Sequence, residues 1–273
     1  MSLWLCRQEP LKQPFYINEM DIYVYSSQEL SYVIVQNPLF VMENFVTDEL
    51  FAFIQEQLGM GFAALKMSKL RRSGEKEEEV LALFLQEAEY CTPGEITRFK
   101  QSAAAFRKMH PAEYRKARAD YLMRAGQYSK AVALYDTILA MPRDVQVNDV
   151  YIAGIYYNRA TAYARLFEFD QAVKSYEAGY HLGKNENVLK VLFFLQCLEP
   201  ELEIDESCRS LMAPEKCLAW KEEYEQIMKE LSEHEEQGTL EALFEKDPVR
   251  RKEGLQMILN GWKKKYRRMQ SPA

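Results

Sequence analysis

The sequence predicts a mainly α-helical protein with a small α+β module at its amino terminus, paired helices in its middle and a charged helical cap at its carboxyl terminus. Three observations support this class. Apolar residues recur at helical spacing from about Ser26 onward. Two short runs of aromatic and β-branched residues, 15–17 and 22–25, precede them and predict the strands. Positive and negative side chains then separate sharply within residues 199–273.

Start and stop signals divide the amino-terminal part into helices. Residues 26–29 match a capping box, in which the serine hydroxyl and the glutamate carboxylate bind free amides at a helix start. Thr47 predicts a second helix start, with Gly59 as the stop. Residues 92–95 form another capping box and open a helix that ends near Met109. Because two short strands are marginal alone, we expect them to pack on these helices.

From Pro111 onward the helical segments come in pairs, 113–138 and 155–179, that resemble each other. Shared positions alternate bulky and small side chains. They are Gly126, Tyr128, Ala131 and Tyr135 in the first pair, and Tyr156, Ala160, Tyr163, Ala172, Tyr176 and Gly179 in the second. This pattern resembles the tetratricopeptide repeat (TPR) family, whose members stack helical hairpins into a superhelix and bind other proteins in its groove.

The packing pattern has a physical reason, because two helices that cross closely need a small residue opposite each large one. Ala131 and Ala172 are 41 residues apart, more than the family's usual spacing of about 34, and we expect the surplus in a loop at residues 142–149. Arg115 stands where the family has an aromatic residue. The resemblance is strong over residues 112–182, weak over 185–198, and absent before 75 and after 206.

We therefore predict three parts: an amino-terminal module at 1–74, a TPR-like region at 75–198, and charged helices at 199–273. The last unit of the repeat region, residues 188–198, is apolar nearly all round and needs cover on both sides. We expect that cover from a long helix at residues 214–237. Its apolar stripe consists of Leu218, Trp220, Tyr224, Ile227, Met228 and Leu231.

The resemblance to TPR proteins also implies a binding groove. The residues at the family's groove positions are Lys116, Asp120, Met123 and Arg124 from the first pair, and Tyr157, Asn158, Thr161 and Arg165 from the second. Asn158 matches an asparagine that holds the backbone of an extended peptide, although it can also be simply an exposed polar residue. Lys116 and Asn158 fit the clamp that binds chaperone carboxyl termini, but Asp120 would repel a carboxylate, so we disfavour that ligand.

The carboxyl-terminal segment 248–273 is a basic amphipathic helix with a net charge of +7, and it follows segment 199–247, whose net charge is −11. Its apolar positions are Leu255, Ile258, Leu259, Trp262, Tyr266 and Met269. Such a helix can bind an anionic membrane or nucleic acid. We favour packing on the acidic segment, with Trp262 buried.

Other classes lack support in the sequence. The chain contains no P-loop, GxGxxG turn or GxSxG elbow, so we predict neither an enzyme nor a cofactor. Five scattered cysteines and three unpaired histidines predict no disulfide framework and no metal site. The net charge of −6 disfavours nucleic acid as a general ligand. The start of the chain, with Arg7 soon after Trp4, lacks the apolar core of a secretory signal, which predicts a cytoplasmic protein.

The function that we expect from the sequence is that of an adaptor or scaffold which binds a protein or peptide partner. The alternatives are a peptide-responsive regulator, for which we find no DNA-reading helix-turn-helix, and a protein that binds membranes or nucleic acid through its basic tail.

Overall fold

The computed structural model describes residues 11–232, 244 and 248–270. The described part is mainly helical with one two-stranded sheet, which confirms the predicted class at that level. The chain divides into two compact units, residues 1–114 and 115–273, and the boundary lies within a helix. The predicted three-part division stays a prediction.

The first unit begins with a β-hairpin and continues as helices. Its elements are β1 (Phe15–Ile17), β2 (Ile22–Val24), α1 (Ser27–Gln36), α2 (Asp48–Ala52) with a π-helical turn at Phe53–Gln57, α3 (Gly61–Arg72), α4 (Glu77–Glu87), α5 (Pro93–Lys108) and the start of α6 (Pro111–Arg124). The strands are antiparallel, with Tyr16 opposite Tyr23. The ring of Phe15 lies 5.3 Å from that of Phe53, so the hairpin packs on the helices as expected.

The predicted helix starts of this unit are confirmed. The Ser26 hydroxyl accepts a hydrogen bond from the Glu29 amide, although the Glu29 carboxylate accepts from the Tyr25 amide, one residue before the expected donor. Thr47 caps α2, and residues 92–95 form a complete capping box. The predicted stop, Gly59, has φ of 69°, a left-handed conformation that glycine adopts without strain.

One buried ion pair joins α4 to α5. The Glu78 carboxylate is almost fully buried, and Arg107 Nε donates hydrogen bonds to its two oxygens at 3.0 and 3.2 Å. Burial raises the pKa of Glu78, but the hydrogen bonds and charge of Arg107 outweigh burial and hold that pKa below its usual range. The pair therefore stays charged and fixes the two helices against each other.

The second unit begins within α6, at residue 115. Its further elements are α7 (Tyr128–Leu139), α8 (Asp149–Arg165), α9 (Phe169–Gly183), α10 (Glu186–Leu198), α11 (Glu206–Arg209), α12 (Pro214–Ser232) and α13 (Pro248–Met269). The expected loop between α7 and α8 spans residues 140–148. Val147 is fully buried, and the Asp144 carboxylate accepts hydrogen bonds from the Gln146 and Val147 amides, so the inserted residues are anchored.

Helices α8 and α9 approach each other closely. A Cβ added at Gly179 would lie 2.5 Å from Tyr157 Cε1, and one added at Gly183 would lie 2.8 Å from the Ala153 Cβ. Real Cβ atoms do not approach other atoms this closely, so only glycine fits at either position. The Tyr157 hydroxyl also donates to the Gly179 carbonyl at 2.8 Å. These opposed positions show that α8 and α9 run antiparallel.

The small alanines predicted at this crossing lie where the packing needs them. Ala160 and Ala172 are completely buried in one apolar cluster with Tyr176, which is also buried. Tyr163 lies partly buried against the same cluster. The alternation of small and bulky residues thus corresponds to contacts across the α8–α9 interface.

Helix α10 is covered by α9 on one side and by α12 on another, as expected. The cover from α12 comes from Trp220 and Tyr224, whose rings lie 5.8 Å from Phe193 and 5.6 Å from Phe194. Lys216 Nζ lies 2.7 Å from the Glu186 carboxylate, 30 residues earlier. The same offset relates Tyr224 to Phe194, so the two helices run parallel.

The rest of the predicted α12 stripe is not buried, which corrects the sequence interpretation. Leu218, Ile227, Met228 and Leu231 are exposed. Leu218 lies on another face of the helix. With an offset of 30 residues, Ile227 and Met228 lie opposite Cys197 and Leu198, the last two residues of α10, which cover them only in part, and Leu231 lies past the end of α10. The end of α12 therefore extends beyond α10. The predicted continuation to residue 237 lies outside the described residues.

The expected burial of Trp262 is also wrong, since half of that side chain is exposed. The described contact of α13 with the core comes from its last turn, where Met269 packs against a cluster that includes Tyr128 and Leu166. Residues 233–243 and 245–247, which hold much of the expected acidic partner, lie outside the described residues. In the part of the chain that is described, no helix is long and apolar enough to cross a membrane.

The α8–α9 contact generates a direct test. Gly179→Ala should lower the free energy of unfolding by about 1–3 kcal/mol, because the added methyl group overlaps the Tyr157 ring. The matched control is Gly154→Ala in α8, where an added Cβ meets no atom within 4 Å. That variant should be neutral or gain up to about 1 kcal/mol from helix propensity. Chemical denaturation followed by circular dichroism measures both, and equal effects of the two variants would contradict the packing described.

Candidate functional site

A surface pocket of about 410 Å³ lies where α6, α7 and α8 meet. Its lining residues are Lys116, Asp120, Met123, Arg124, Tyr135, Asn158 and Thr161. We call it the α6–α8 pocket. Six of its seven lining residues belong to the eight groove positions named from the sequence. Their spacing of three to four residues within each helix places them on one helical face.

Asp120 is the centre of a hydrogen-bond network that joins the three helices. Its Oδ1 atom accepts from the Tyr135 hydroxyl at 2.7 Å and from the Asn158 amide nitrogen at 3.3 Å. Its Oδ2 atom lies 2.5 Å from Lys116 Nζ. Helices α6, α7 and α8 are therefore linked through one carboxylate. Lys116 compensates the charge of Asp120, so the pocket presents a paired carboxylate and not a bare one.

Tyr135 is held as a hydrogen-bond donor in this network. The side chain is completely buried. Burial raises the pKa of Tyr135, and the hydrogen bond to Asp120 and the negative charge of that carboxylate raise it further. The hydroxyl consequently stays protonated over the whole physiological pH range. The sequence pattern predicts Tyr135 only as a packing residue, because nothing in its spacing distinguishes a packing tyrosine from one whose hydroxyl binds a carboxylate.

Thr161 connects the pocket to α9. Its hydroxyl donates to the Tyr157 carbonyl at 2.9 Å and lies 3.0 Å from the hydroxyl of Tyr176. Since the Thr161 proton points to the carbonyl, the Tyr176 hydroxyl donates to the Thr161 oxygen. Burial raises the pKa of Tyr176, which keeps that proton in place. The Thr161 hydroxyl is thus already used inside the protein.

The two remaining groove positions do not line the pocket. Neighbouring residues on a helix point about 100° apart. Because Asn158 faces α6, the preceding residue, Tyr157, points away from the pocket, and its ring lies against Gly179 of α9. Arg165 is exposed one turn beyond Thr161. No carboxylate lies within ion-pair distance of Arg124 or Arg165 among the described residues. Within the described part of the chain these two arginines therefore present uncompensated positive charge on α6 and α8.

Arg159 is a structural residue that the sequence interpretation missed. Its Nη1 atom lies 2.6 Å from the Asp136 carboxylate of α7, and its Nε atom donates to the Ser175 hydroxyl of α9 at 3.2 Å. The guanidinium also lies over the rings of Tyr156, at 5.0 Å, and Tyr163, at 5.8 Å. Tyrosines three residues before and four residues after an arginine on one helix were the signal that could have identified it.

Histidine, cysteine and acidic side chains are the other groups of the described residues that could carry chemistry. Within them no group of three or more histidine, cysteine or acidic side chains is arranged to hold a metal ion. Cys91, Cys197, Cys208 and Cys217 carry free thiols, and burial raises the pKa of Cys91 to about 11, which makes that thiol a poor nucleophile. Cys6 and His234 lie outside the described residues.

Comparisons with known proteins identify no relative of this chain. A scan against protein-family models, a search of curated proteins and a search of solved structures each return no match. The features of the α6–α8 pocket are therefore interpreted from its own residues.

A double-mutant cycle tests the Asp120 network. Asp120→Ala and Tyr135→Phe should each cost about 1–3 kcal/mol, because each removes a partner from a buried or partly buried polar group. The double variant should cost less than the sum by at least about 0.5 kcal/mol, as expected for residues in direct contact. Lys116→Ala is the control, with an expected loss below about 1 kcal/mol because its ion pair is about one third exposed. Additive effects of Asp120→Ala and Tyr135→Phe in denaturant unfolding would contradict the hydrogen bond between them.

Proposed function

We propose that the protein is a non-enzymatic cytoplasmic adaptor that binds an extended segment of a partner protein against α6 and α8. The observation that supports this proposal is the α6–α8 pocket. Six of the eight residues that a TPR-like pattern assigns to a peptide groove come from two separate helices and line one depression. Polar residues that were merely exposed would have no reason to line the same depression.

The proposed architecture is a TPR-like superhelix in which α6–α7 and α8–α9 are two successive hairpins and α10 begins a third, incomplete unit. The close α8–α9 crossing at Gly179 and the burial of Ala160 and Ala172 support it, since these are the positions at which the pattern requires small residues. In such an array the first helix of each hairpin lines the inner surface. Helices α6 and α8 occupy that position in the proposed repeats.

The polar groups of the pocket favour a particular kind of segment. Asn158 uses an amide N–H internally, while its amide oxygen has no hydrogen-bond partner among the described residues. That oxygen can accept a hydrogen bond from the main chain of an extended peptide. Arg124 and Arg165 add uncompensated positive charge nearby. We therefore propose a peptide that is held by its backbone at Asn158 and carries an acidic or polar side chain toward these arginines.

The same geometry argues against a chaperone carboxyl terminus as the ligand. Lys116 is engaged by Asp120, so the one cation that matched a carboxylate clamp is already neutralised. Val188 and Leu192, which stand at the other clamp positions, are buried and cannot contact a ligand. A terminal carboxylate would find no free cation of the clamp.

Affinity capture with the full chain tests the proposed function. The double variant Asn158→Ala, Arg165→Ala should retain less than about a tenth of the partner bound by the wild type, as expected for losing two polar anchors of about 1 kcal/mol each. Its circular dichroism should be unchanged and its free energy of unfolding should fall by no more than about 1 kcal/mol, because Arg165 is exposed and Asn158 loses only its partly buried hydrogen bond to Asp120.

The matched control replaces an asparagine and an arginine elsewhere, Asn187→Ala with Arg143→Ala, both of which are exposed. Partners are captured from a lysate of the producing cells and quantified by mass spectrometry. Partners that are lost with the groove variant and kept with the control support the proposal. Equal capture by the wild type and the groove variant would remove the α6–α8 pocket as the binding site.

A further inference from the structure

Helix α13 has two chemically distinct sides. At 3.6 residues per turn, its apolar side chains fall on one face. They are Leu255, Ile258, Leu259, Trp262, Tyr266 and Met269. The flanks and the opposite face carry basic side chains. They are Arg250, Lys252, Lys263, Lys264, Lys265, Arg267 and Arg268. With 22 residues, α13 is long enough to present both sides over several turns.

Much of the apolar face is in contact with water. Trp262 is 50% exposed, Leu259 43% and Tyr266 40%. Ile258 and Met269 lie on one side of Trp262 around the helix and are partly buried, whereas Leu259 and Tyr266 lie on the other side. Met269 packs on the core of the second unit. The edge formed by Leu259, Trp262 and Tyr266 is therefore available without release of the last turn from the core.

Three lysines of the same helical turn are also available. Lys263, Lys264 and Lys265 are exposed, and among the described residues no carboxylate lies within ion-pair distance of any of them. Residues 248–273 as a whole carry a net charge of +7, in a chain whose total is −6. Positive charge is thus concentrated on this one helix.

We propose that the face of α13 formed by Leu259, Trp262 and Tyr266, together with Lys263, Lys264 and Lys265, binds an anionic lipid surface. Tryptophan and tyrosine place an apolar ring among acyl chains and a polar end among headgroups, and lysine ammonium groups at the rim reach the lipid phosphates. Around the helix Lys263 adjoins Leu259 and Tyr266, Lys265 lies on the other side of Trp262, and Lys264 lies on the opposite face, where it adds to the positive potential of α13.

Charge and chemistry distinguish lipid from the other occupants of this face. A second α13 helix would bring two strongly positive segments together, and like charges repel. Duplex nucleic acid would satisfy the lysines through its phosphates, but its bases are stacked on one another, so it offers little apolar surface for the aliphatic Leu259. An anionic bilayer satisfies the cations and the apolar edge at the same time. The acidic remainder of the chain is repelled by such a bilayer, so binding should be confined to α13 and sensitive to salt.

Co-sedimentation of the full chain with vesicles tests this proposal. Vesicles of 70% phosphatidylcholine and 30% phosphatidylserine should bind the wild type at low salt, and vesicles of phosphatidylcholine alone should not. Lys263→Glu, Lys264→Glu and Lys265→Glu together should weaken binding roughly a hundredfold, since each basic residue near the surface contributes about fivefold. The charge-matched control is Lys69→Glu, Lys108→Glu and Lys174→Glu at exposed positions elsewhere, and it should bind nearly as the wild type does.

Fluorescence locates the contact independently. With Trp4 and Trp220 replaced by phenylalanine, the emission of Trp262 should shift to shorter wavelength on addition of the anionic vesicles. If these replacements disturb folding, the difference in quenching by brominated lipid between the wild type and Trp262→Phe gives the same information. Four results would each overturn the proposal: no binding at low salt, equal binding by the Lys263–Lys265 variant, tighter binding to duplex DNA or RNA, or a lipid-independent dimer that buries Trp262.

Discussion

The close approach of α8 and α9 determines where the polar side chains of the candidate site lie. Only glycine at position 179 leaves room for the Tyr157 ring, and that ring fixes the rotation of α8 about its own axis. With Tyr157 turned to α9, the next residue, Asn158, faces α6. A larger residue at the crossing would push α8 outward or rotate it. The position of the polar pocket therefore depends on a steric contact on a different side of the same helix.

Two polar side chains then hold α7 in place beside this pair. Asp120 accepts hydrogen bonds from Tyr135 of α7 and Asn158 of α8, and Arg159 binds Asp136 of α7 while it contacts Ser175 of α9. Buried or partly buried polar groups are costly when a partner is missing, so these contacts specify one arrangement of the helices more than they add stability. The same contacts neutralise Asp120 and leave the pocket suited to a hydrogen-bonding ligand.

Much of the helical framework could be predicted because local rules determine it. Capping at Ser26, Thr47 and Thr92, the inserted loop before α8, and the need of α10 for cover all follow from short-range patterns. Burial of the later helices depends on where their neighbours end. Whether Ile227 or Trp262 is covered depends on the length and direction of another helix, and neither property is present in the helical periodicity of the residue itself.

For the candidate site, too, the sequence predicts which residues share a helical face but not which helix lies opposite that face. The structure brings residues spaced by three or four positions to one pocket, because the helical repeat alone puts them on one face. The orientation of Tyr157 and the roles of Tyr135 and Arg159 required knowledge of which helix lies opposite each face. One sequence is enough to predict which residues share a face of a helix. Which other helix packs on that face is determined by the tertiary structure.

Hydrogen–deuterium exchange of the full chain, with and without its captured partner, tests the central claim most directly. Binding in the α6–α8 pocket predicts that amide protection on complex formation is concentrated in residues 116–124 and 158–165, since a ligand there slows local opening of the two helices. Helix α5 and residues 248–269 should exchange at unchanged rates. Protection confined to the first unit or to α13, with α6 and α8 unaffected, would contradict the claim that the pocket is the site of partner binding.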